Sequence, residues 1–154
     1  FFANNQILFR SEHISFYTRL LEGNYPDTDR LIPTEFNTEA TFNVANLRFA
    51  MERARLLSNA TQNGTVKLEF KNGVVSSHVH SPEVGRVNEE IDTSAVSGED
   101  LSISFNPTYL IEALKAIDSE QVFIRFISSV RPFTLVPEGN EQGFIQLITP
   151  VRTN

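Results

Sequence analysis

The sequence predicts an α+β fold in which one β-α-β-β-β unit occurs twice, with both helices packed on one face of an antiparallel sheet. A strand-to-helix corner is repeated, once as "TFNVANLRFAM" and once as "SFNPTYLIEAL". When Phe42 is placed on Phe105, the segments "VKLEF" and "VFIRF" also correspond, and each opens a β pair. One helix on a short sheet cannot close a core alone, so two copies are expected to share one.

The first 32 residues differ in pattern from the rest of the chain. Short β-like runs occur at Gln6 to Arg10 and at His13 to Leu20, and the segment "LEGNYPDTDRLIP" then extends from Leu21 to Pro33. Its glycine, prolines and aspartates are typical of irregular structure. We therefore expect two parts, residues 1–32 and residues 33–154.

Each element of the first repeat has a local signal. We expect a strand at about Glu39 to Phe42, a helix at about Val44 to Ser58, and then the hairpin "TVKLEFKNGVVSSHVH". Its turn is Asn72-Gly73, a pair that tolerates the positive φ angles of a two-residue turn. The alternating segment "RVNEEIDTSAV" supplies further β structure. Spacings of three and four predict the buried face of the helix, which holds Val44, Leu47, Ala50, Met51, Ala54 and Leu57.

The second repeat begins with a strand that turns sharply into a helix. Asn106 is the expected N-cap, and Pro107 occupies the first helical position, where its missing N–H is not needed. The predicted buried face of this helix holds Leu110, Ala113, Leu114 and Ile117. Three cations lie off the two buried stripes, beside Glu52 and Glu112; they are Arg48, Arg55 and Lys115. A solvated face with local ion pairs is the simplest interpretation of these charges.

The composition limits the possible classes of protein. With 154 residues, of which 40% are hydrophobic, the chain is long enough for one domain or for one domain with part of another. It has no run of about 18 apolar residues, so no membrane span is expected. The absence of cysteine excludes disulfides and fits a cytoplasmic location. A net charge of -6 argues against a domain that binds nucleic acid through an overall basic surface. Because the chain opens Phe1-Phe2-Ala3, without methionine or a signal region, we expect a fragment.

Four segments together resemble the bacterial sliding clamp family, the β subunit of DNA polymerase III. They are "LEGNYPDTDRLIP", "SFNPTYLIEAL", "SSVRPFTLVP" and "IQLITPVRTN", and they occur in the family's order over essentially the whole chain. The resemblance implies the DNA clamp fold, with residues 1–32 as the tail of the middle domain and residues 33–154 as the complete third domain. It also implies that the first domain and most of the second are absent from this chain.

The family resemblance implies a function in binding rather than catalysis. Two protomers of such a clamp form a ring around duplex DNA without sequence preference. The ring tethers DNA polymerase III, the clamp loader and other replication and repair proteins, which confers processivity. Because the helices line the hole, Arg48, Arg55 and Lys115 would face DNA, and Leu56 and Leu57 would lie at the ring interface. No enzyme activity, cofactor, metal or membrane partner is expected.

The resemblance further implies a pocket that binds a short peptide of these partners. An aliphatic floor, one aromatic wall and a few polar rim groups suit the apolar anchors of an extended peptide. Core packing or a surface ion pair would explain each residue taken singly. A rim position that is aromatic in some clamps is Gln62 here. The implied pocket residues are Pro26, Arg30, Leu31, Asn106, Tyr109, Val130, Pro132, Leu147, Ile148, Thr149, Pro150, Val151 and Arg152.

The residues themselves leave two other functional classes open. His78 and His80 occupy one face of a strand, with Glu83 after them, a spacing seen in some metal sites and compatible with a metal-dependent hydrolase. A solvent-facing or hydrogen-bonded histidine pair is the simpler interpretation of this pattern. The other alternative is a β-rich protein-interaction domain without a DNA role.

Overall fold

The structure of the chain is a computed structural model. It describes residues 2–3, 5–25, 27–28, 30–58, 64–81, 85–140 and 143–152. The predicted site residues Pro26, Gln62 and Glu83 lie outside the described residues. The chain divides into two compact units, Phe1–Leu31 and Ile32–Asn154, and each is described by itself.

The described residues form twelve strands and two helices. In chain order these are β1 (Phe2–Ala3), β2 (Gln6–Arg10), β3 (Ser15–Arg19), β4 (Thr38–Asn43), α1 (Val44–Ser58), β5 (Val66–Lys71), β6 (Val74–Ser81), β7 (Gly85–Ile91), β8 (Ala95–Gly98), β9 (Leu101–Phe105), α2 (Pro107–Lys115), β10 (Gln121–Phe126), β11 (Phe133–Pro137) and β12 (Gln146–Ile148).

The first unit holds one three-stranded antiparallel sheet in the order β1-β2-β3. Strands β2 and β3 pair with Phe9 opposite Phe16, and the two ring centroids are 6.3 Å apart. Both rings are more than half exposed. The second β-like segment, predicted from His13 to Leu20, forms a shorter strand, because His13 and Ile14 belong to the turn between β2 and β3.

The second unit contains two antiparallel sheets, with strand orders β12-β11-β10-β4-β8 and β7-β6-β5-β9. The first strand of each repeat pairs into the sheet of the other repeat, since β4 lies beside β10 and β9 lies beside β5. The two exchanged pairs have equivalent registers, with Val122 opposite Phe42 and Val66 opposite Phe105. The predicted α+β class is confirmed, and the strands are divided between two sheets instead of lying in a shared one.

Both helices begin at the duplicated corner. The side chain of Asn43 accepts a hydrogen bond from the backbone N–H of Asn46 at 3.0 Å, and that of Asn106 accepts one from Thr108 at 2.9 Å. These bonds satisfy N–H groups that have no partner within the helix. Helix α1 packs against α2 and against strands of both sheets. The predicted apolar faces are buried, except that Leu57 is only partly buried and Ile117 follows the end of α2.

Four phenylalanine rings join the two sheets within the core. Phe126 of β10 lies 4.9 Å from Phe70 of β5 and 5.1 Å from Phe133 of β11, measured between ring centroids. Phe105 of β9 is 5.1 Å from Phe133. All four side chains are at most 2% exposed. Tilted and edge-on pairs at these distances add to the stabilisation from burial alone.

The chain crosses from one sheet to the other between β8 and β9, at Gly98. This residue has φ +99°, and a Cβ added there would lie 1.9 Å from the backbone oxygen of Asn37. The same oxygen accepts a hydrogen bond from the N–H of Glu99 at 3.0 Å, and the Thr38 hydroxyl donates to the oxygen of Glu99 at 2.7 Å. Glycine is therefore required here both by backbone conformation and by close approach.

We expect Gly98→Ala to lower the free energy of unfolding by about 2 to 4 kcal/mol, because it combines positive-φ strain with overpacking. Gly139→Ala is the matched control, since Gly139 has φ +79° but nothing within 4 Å of an added Cβ. The control is expected to cost about 1 to 2 kcal/mol from backbone strain alone. Urea unfolding of both variants measures the difference, and equal losses would contradict the proposed steric role of Asn37.

Candidate functional site

A groove of about 400 Å³ lies between α2 and β12 in the second unit. Tyr109 is on the groove wall and is 60% exposed. Its backbone N–H donates to the oxygen of Asn106 at 3.2 Å, so the start of the helix fixes its place. We call this the α2–β12 groove; it is lined by Tyr109, Glu112, Ala113, Ala116, Phe144, Gln146, Leu147, Ile148 and Thr149.

The residues that follow β12 border a second cavity. Strand pairing ends at Ile148, and Pro150 has no N–H to continue it. The N–H of Val151 then donates to the oxygen of Ser104 at 2.7 Å, which ties the segment to the edge of β9. This tail cavity has a volume of about 380 Å³ and is lined by Lys67, Ser102, Ser104, Ser129, Val130, Val151 and Arg152.

Most of the predicted pocket residues of the second unit line one of these two cavities. Tyr109, Leu147 and Thr149 line the α2–β12 groove, and Val130, Val151 and Arg152 line the tail cavity. Ile148 also borders the groove, but at 2% exposure its side chain belongs to the core. Pro132, Pro150 and Asn106 line neither cavity. Asn106 acts instead by capping the helix that carries Tyr109.

Two predicted pocket residues are described in the first unit. The Nε atom of Arg30 lies 2.8 Å from Oδ2 of Asp27, and both side chains are mostly exposed. Leu31 is 54% exposed, and its N–H donates to the oxygen of Thr28 at 3.0 Å. This short turn therefore exposes a cationic and an apolar side chain at two adjacent residues.

Sequence reasoning missed several residues of the α2–β12 groove. Glu112, Ala113 and Ala116 follow Tyr109 by three, four and seven positions, so the helical period places them on the same face. That spacing could have identified them. Phe144 gives no comparable signal, because it lies in the irregular segment before β12.

The family model described as "DNA polymerase III beta subunit, C-terminal domain" matches residues 29–152. The chain belongs to this family. It is 80% identical over its whole length to the beta sliding clamp of Streptococcus pneumoniae and 56% identical to that of Lactococcus lactis. In both comparisons the chain spans 41% of the relative's length.

Solved structures of beta subunits share this fold. The crystal structure of the DNA polymerase III beta chain from Streptococcus pneumoniae matches with a TM-score of 0.89 at 80% identity, over 99% of this chain and 41% of that one. A Thermotoga maritima beta subunit gives a TM-score of 0.87 at 25% identity, over 99% and 41%. A sliding clamp from Pseudomonas aeruginosa, solved with griselimycin bound, gives 0.83 at 25% identity, over 97% and 40%.

In this beta-subunit domain, the three helix cations differ in their surroundings. The Nε atom of Arg48 lies 3.8 Å from Glu52, and its guanidinium carbon lies 5.2 Å from the ring centre of Phe49. Lys115 pairs with Glu112 at 2.9 Å, as expected for neighbours on a helix, and Arg55 is half-buried. These acidic companions reduce the positive potential of the helices.

Sequence reasoning missed one further cation on α1. Arg53 forms an ion pair and hydrogen bonds with Glu89 of β7. The hydrogen bond to Glu89 raises the pKa of Arg53 above its usual value, against the opposing effect of desolvation. Near the end of the same helix, Leu56 is 73% exposed, whereas Leu57 packs partly against the core.

His78 and His80 lie on alternate positions of β6. The two ring nitrogens of His78 lie 2.9 Å from the Ser76 hydroxyl and 2.8 Å from the side-chain oxygen of Asn88. Among the described residues, no three His, Cys, Asp or Glu side chains are placed to hold one metal ion. The hydrogen-bonded interpretation therefore fits His78, and the family match supports the clamp interpretation over a hydrolase.

Proposed function

We propose that this chain is the C-terminal part of a sliding clamp that encircles duplex DNA as a two-protomer ring and tethers DNA polymerase III and other replication and repair proteins. Residues 1–32 would end the middle domain, and residues 33–154 would form the third. The observation that carries this proposal is the 80% identity to a beta sliding clamp over the whole chain. The protein would act by binding, without catalysis or a cofactor, in the cytoplasm. Neither helix in the described part of the chain has the length and apolar character needed to span a bilayer.

The α2–β12 groove and the tail cavity are the proposed peptide site. Tyr109 offers a half-exposed ring beside the apolar Leu147, a combination that can cover the inserted anchor of an extended peptide. Val130 and Val151 offer a second apolar surface beside Arg152. Arg30 and Leu31 are proposed peptide contacts as well. One relative, a sliding clamp from Pseudomonas aeruginosa, is known with griselimycin bound, which supports ligand binding by clamps of this family.

The proposed ring gives a direct test of the DNA function. A closed ring holds circular DNA topologically, so we expect the full-length protein, once loaded on a nicked plasmid, to stay bound during gel filtration at high salt. Linearising the plasmid is expected to release it, because a ring without sequence preference slides off a free end. Equal retention on both forms would contradict topological holding. The variant in which Arg48, Arg55 and Lys115 are replaced by glutamine controls for ordinary electrostatic binding to the plasmid.

Arg48, Arg55 and Lys115 are the proposed DNA-facing residues. Each phosphate contact contributes about 0.9 to the logarithmic dependence of affinity on salt. Replacing all three by glutamine in the full-length clamp is expected to reduce this slope, by at most about 2.7 if every one contacts a phosphate. Fluorescence anisotropy with duplex DNA between 50 and about 200 mM salt measures the slope. An unchanged slope would show that the three side chains do not contact DNA phosphates. Lys71→Gln is the control, because Lys71 occupies an exposed position on a strand.

The ring interface is proposed to include the end of α1. The side chain of Leu56 is exposed, and the neighbouring Leu57 is partly buried against the core. Burial of the Leu56 side chain against another chain would remove apolar surface from water, which favours association. We expect Leu56→Asp to shift the full-length protein from dimer to monomer in analytical ultracentrifugation, whereas a dimer of unchanged stability would place the interface elsewhere.

A further inference from the structure

A third cavity, of about 460 Å³, lies on the four-stranded sheet β7-β6-β5-β9. Cross-strand pairing puts Ser104 opposite Lys67, Lys67 opposite His78, and His78 opposite Asn88, which forms one row across all four strands. Directly paired residues share a sheet face. The core residues of β5 alternate with this row, so the row lies on the face turned away from the core. We call this cavity the cationic cleft; it is lined by Thr65, Lys67, His78, Val79, His80, Arg86, Asn88 and Ser104.

The described lining of the cationic cleft carries donor groups and positive charge. Of the described residues that line it, none is aspartate or glutamate, although the whole chain carries a net charge of -6. Glu69 and Glu90 are nearby acids on the same face, because Ser76 pairs with both. The Glu69 oxygens lie 3.7 Å from Lys67 Nζ and 3.4 Å from His78 Nε2. Arg86 is exposed and forms no ion pair with any described residue. The cleft therefore favours an anionic ligand.

The cationic cleft is continuous with the proposed peptide site. Lys67 and Ser104 line both the cleft and the tail cavity. The oxygen of Ser104 also accepts the N–H of Val151, which ties the tail to this edge of the sheet. Of the described residues that line the tail cavity, none is acidic, and Arg152 adds a second cation there.

We infer that the cationic cleft takes an acidic segment that flanks the apolar anchors of the partner peptide, with its carboxylates on Lys67 and Arg86. The inference rests on the proposed peptide site. Charge complementarity and the shared residues favour this ligand. A nucleic-acid strand is less well matched, because Lys67 and Ser104 join the cleft to the tail cavity of the proposed peptide site.

The test uses fluorescence polarisation with the full-length protein and three labelled peptides. All three carry the same leucine and phenylalanine anchors; one has glycine-serine flanks, one has four glutamates before the anchors, and one has four glutamates after them. We expect one acidic peptide to bind about five- to tenfold more tightly than the neutral peptide at low salt, and the gain to fall as salt rises.

Variants of the cleft decide where the gain arises. The double variant Lys67→Gln/Arg86→Gln is expected to remove most of the acidic gain. Arg86→Gln alone changes a residue that lines the cationic cleft but not the tail cavity, so it is expected to remove part of that gain and to leave the affinity for the neutral peptide unchanged. Lys71→Gln is the matched control, because Lys71 is exposed on the same strand and the same face as Lys67 but lines neither cavity. It is expected to keep the gain, as the native protein does.

Three results would overturn the inference. The first is no gain with either acidic peptide, or a gain that the double variant retains. The second is affinity for a labelled single-stranded oligonucleotide that the double variant loses, without any acidic gain, which would assign the cleft to nucleic acid. The third is absence of binding by the neutral peptide, which would also remove the proposed peptide site. The first two results leave that proposed function standing.

Discussion

Phe126→Ala is expected to lower the free energy of unfolding of this chain by about 3 to 5 kcal/mol, the usual range for a fully buried aromatic. Phe126 is 0% exposed, and its ring contacts Phe70 in one sheet and Phe133 in its own. Its removal leaves a cavity where the two sheets meet and also removes two ring contacts. The large cost follows because this one side chain packs β10 of one sheet against β5 of the other.

Urea unfolding followed by circular dichroism at the helical band measures this loss, because both helices belong to the second unit. Phe49→Ala is the matched control, since the same ring is removed from a half-exposed position on α1. It is expected to cost about 1 kcal/mol or less. If the two variants unfolded at the same urea concentration, the proposed contribution of Phe126 to packing between the sheets would be contradicted.

The corners and turns of this fold were predictable because their causes are local. Asn43 and Asn106 cap helices within three residues of themselves. Asn72 and Gly73 have φ angles of 52° and 79°, which confirms the predicted hairpin turn. In each case a short polar side chain or a glycine selects the backbone conformation directly.

The exchange of strands between the two sheets could not be predicted in the same way. Phe42 pairs with Val122, far along the chain, and its alternating pattern is the same whichever strand lies beside it. Apolar periodicity predicts which side chains are buried, but it does not predict which strand lies beside them. The sequence therefore predicted one shared sheet, whereas the second unit contains two.

The same limit applies to the candidate site. The family resemblance assigned Tyr109 to the pocket, and the locally encoded start of α2 accounts for its position on the groove wall. Leu147 and Ile148 are adjacent and both apolar, so the sequence does not show which of them faces the core. In the structure Leu147 lines the groove and the side chain of Ile148 belongs to the core. The hydrogen bond from Val151 to Ser104 joins segments that are distant in the chain, so no local pattern predicts it.

Tyr109→Ala in the full-length clamp is expected to weaken binding of a polymerase-derived peptide at least tenfold, because loss of an aromatic anchor contact commonly costs about 2 kcal/mol or more. The side chain is 60% exposed, so its removal leaves the core intact. Tyr109→Phe is the matched control. It keeps the ring that covers the inserted side chain and is expected to retain most of the affinity.

Deletion of residues 150–154 is expected to weaken the same peptide by a similar factor through a different route. It removes Val151 and Arg152 from the tail cavity and breaks the hydrogen bond to Ser104 that holds the tail in place. Helical circular dichroism establishes that each variant is folded, and fluorescence polarisation then gives the affinities. Because Tyr109 and the tail line different cavities, the deletion would lower affinity even where Tyr109→Phe does not. Unchanged affinity in both the folded deletion and folded Tyr109→Ala would place the peptide site on another surface.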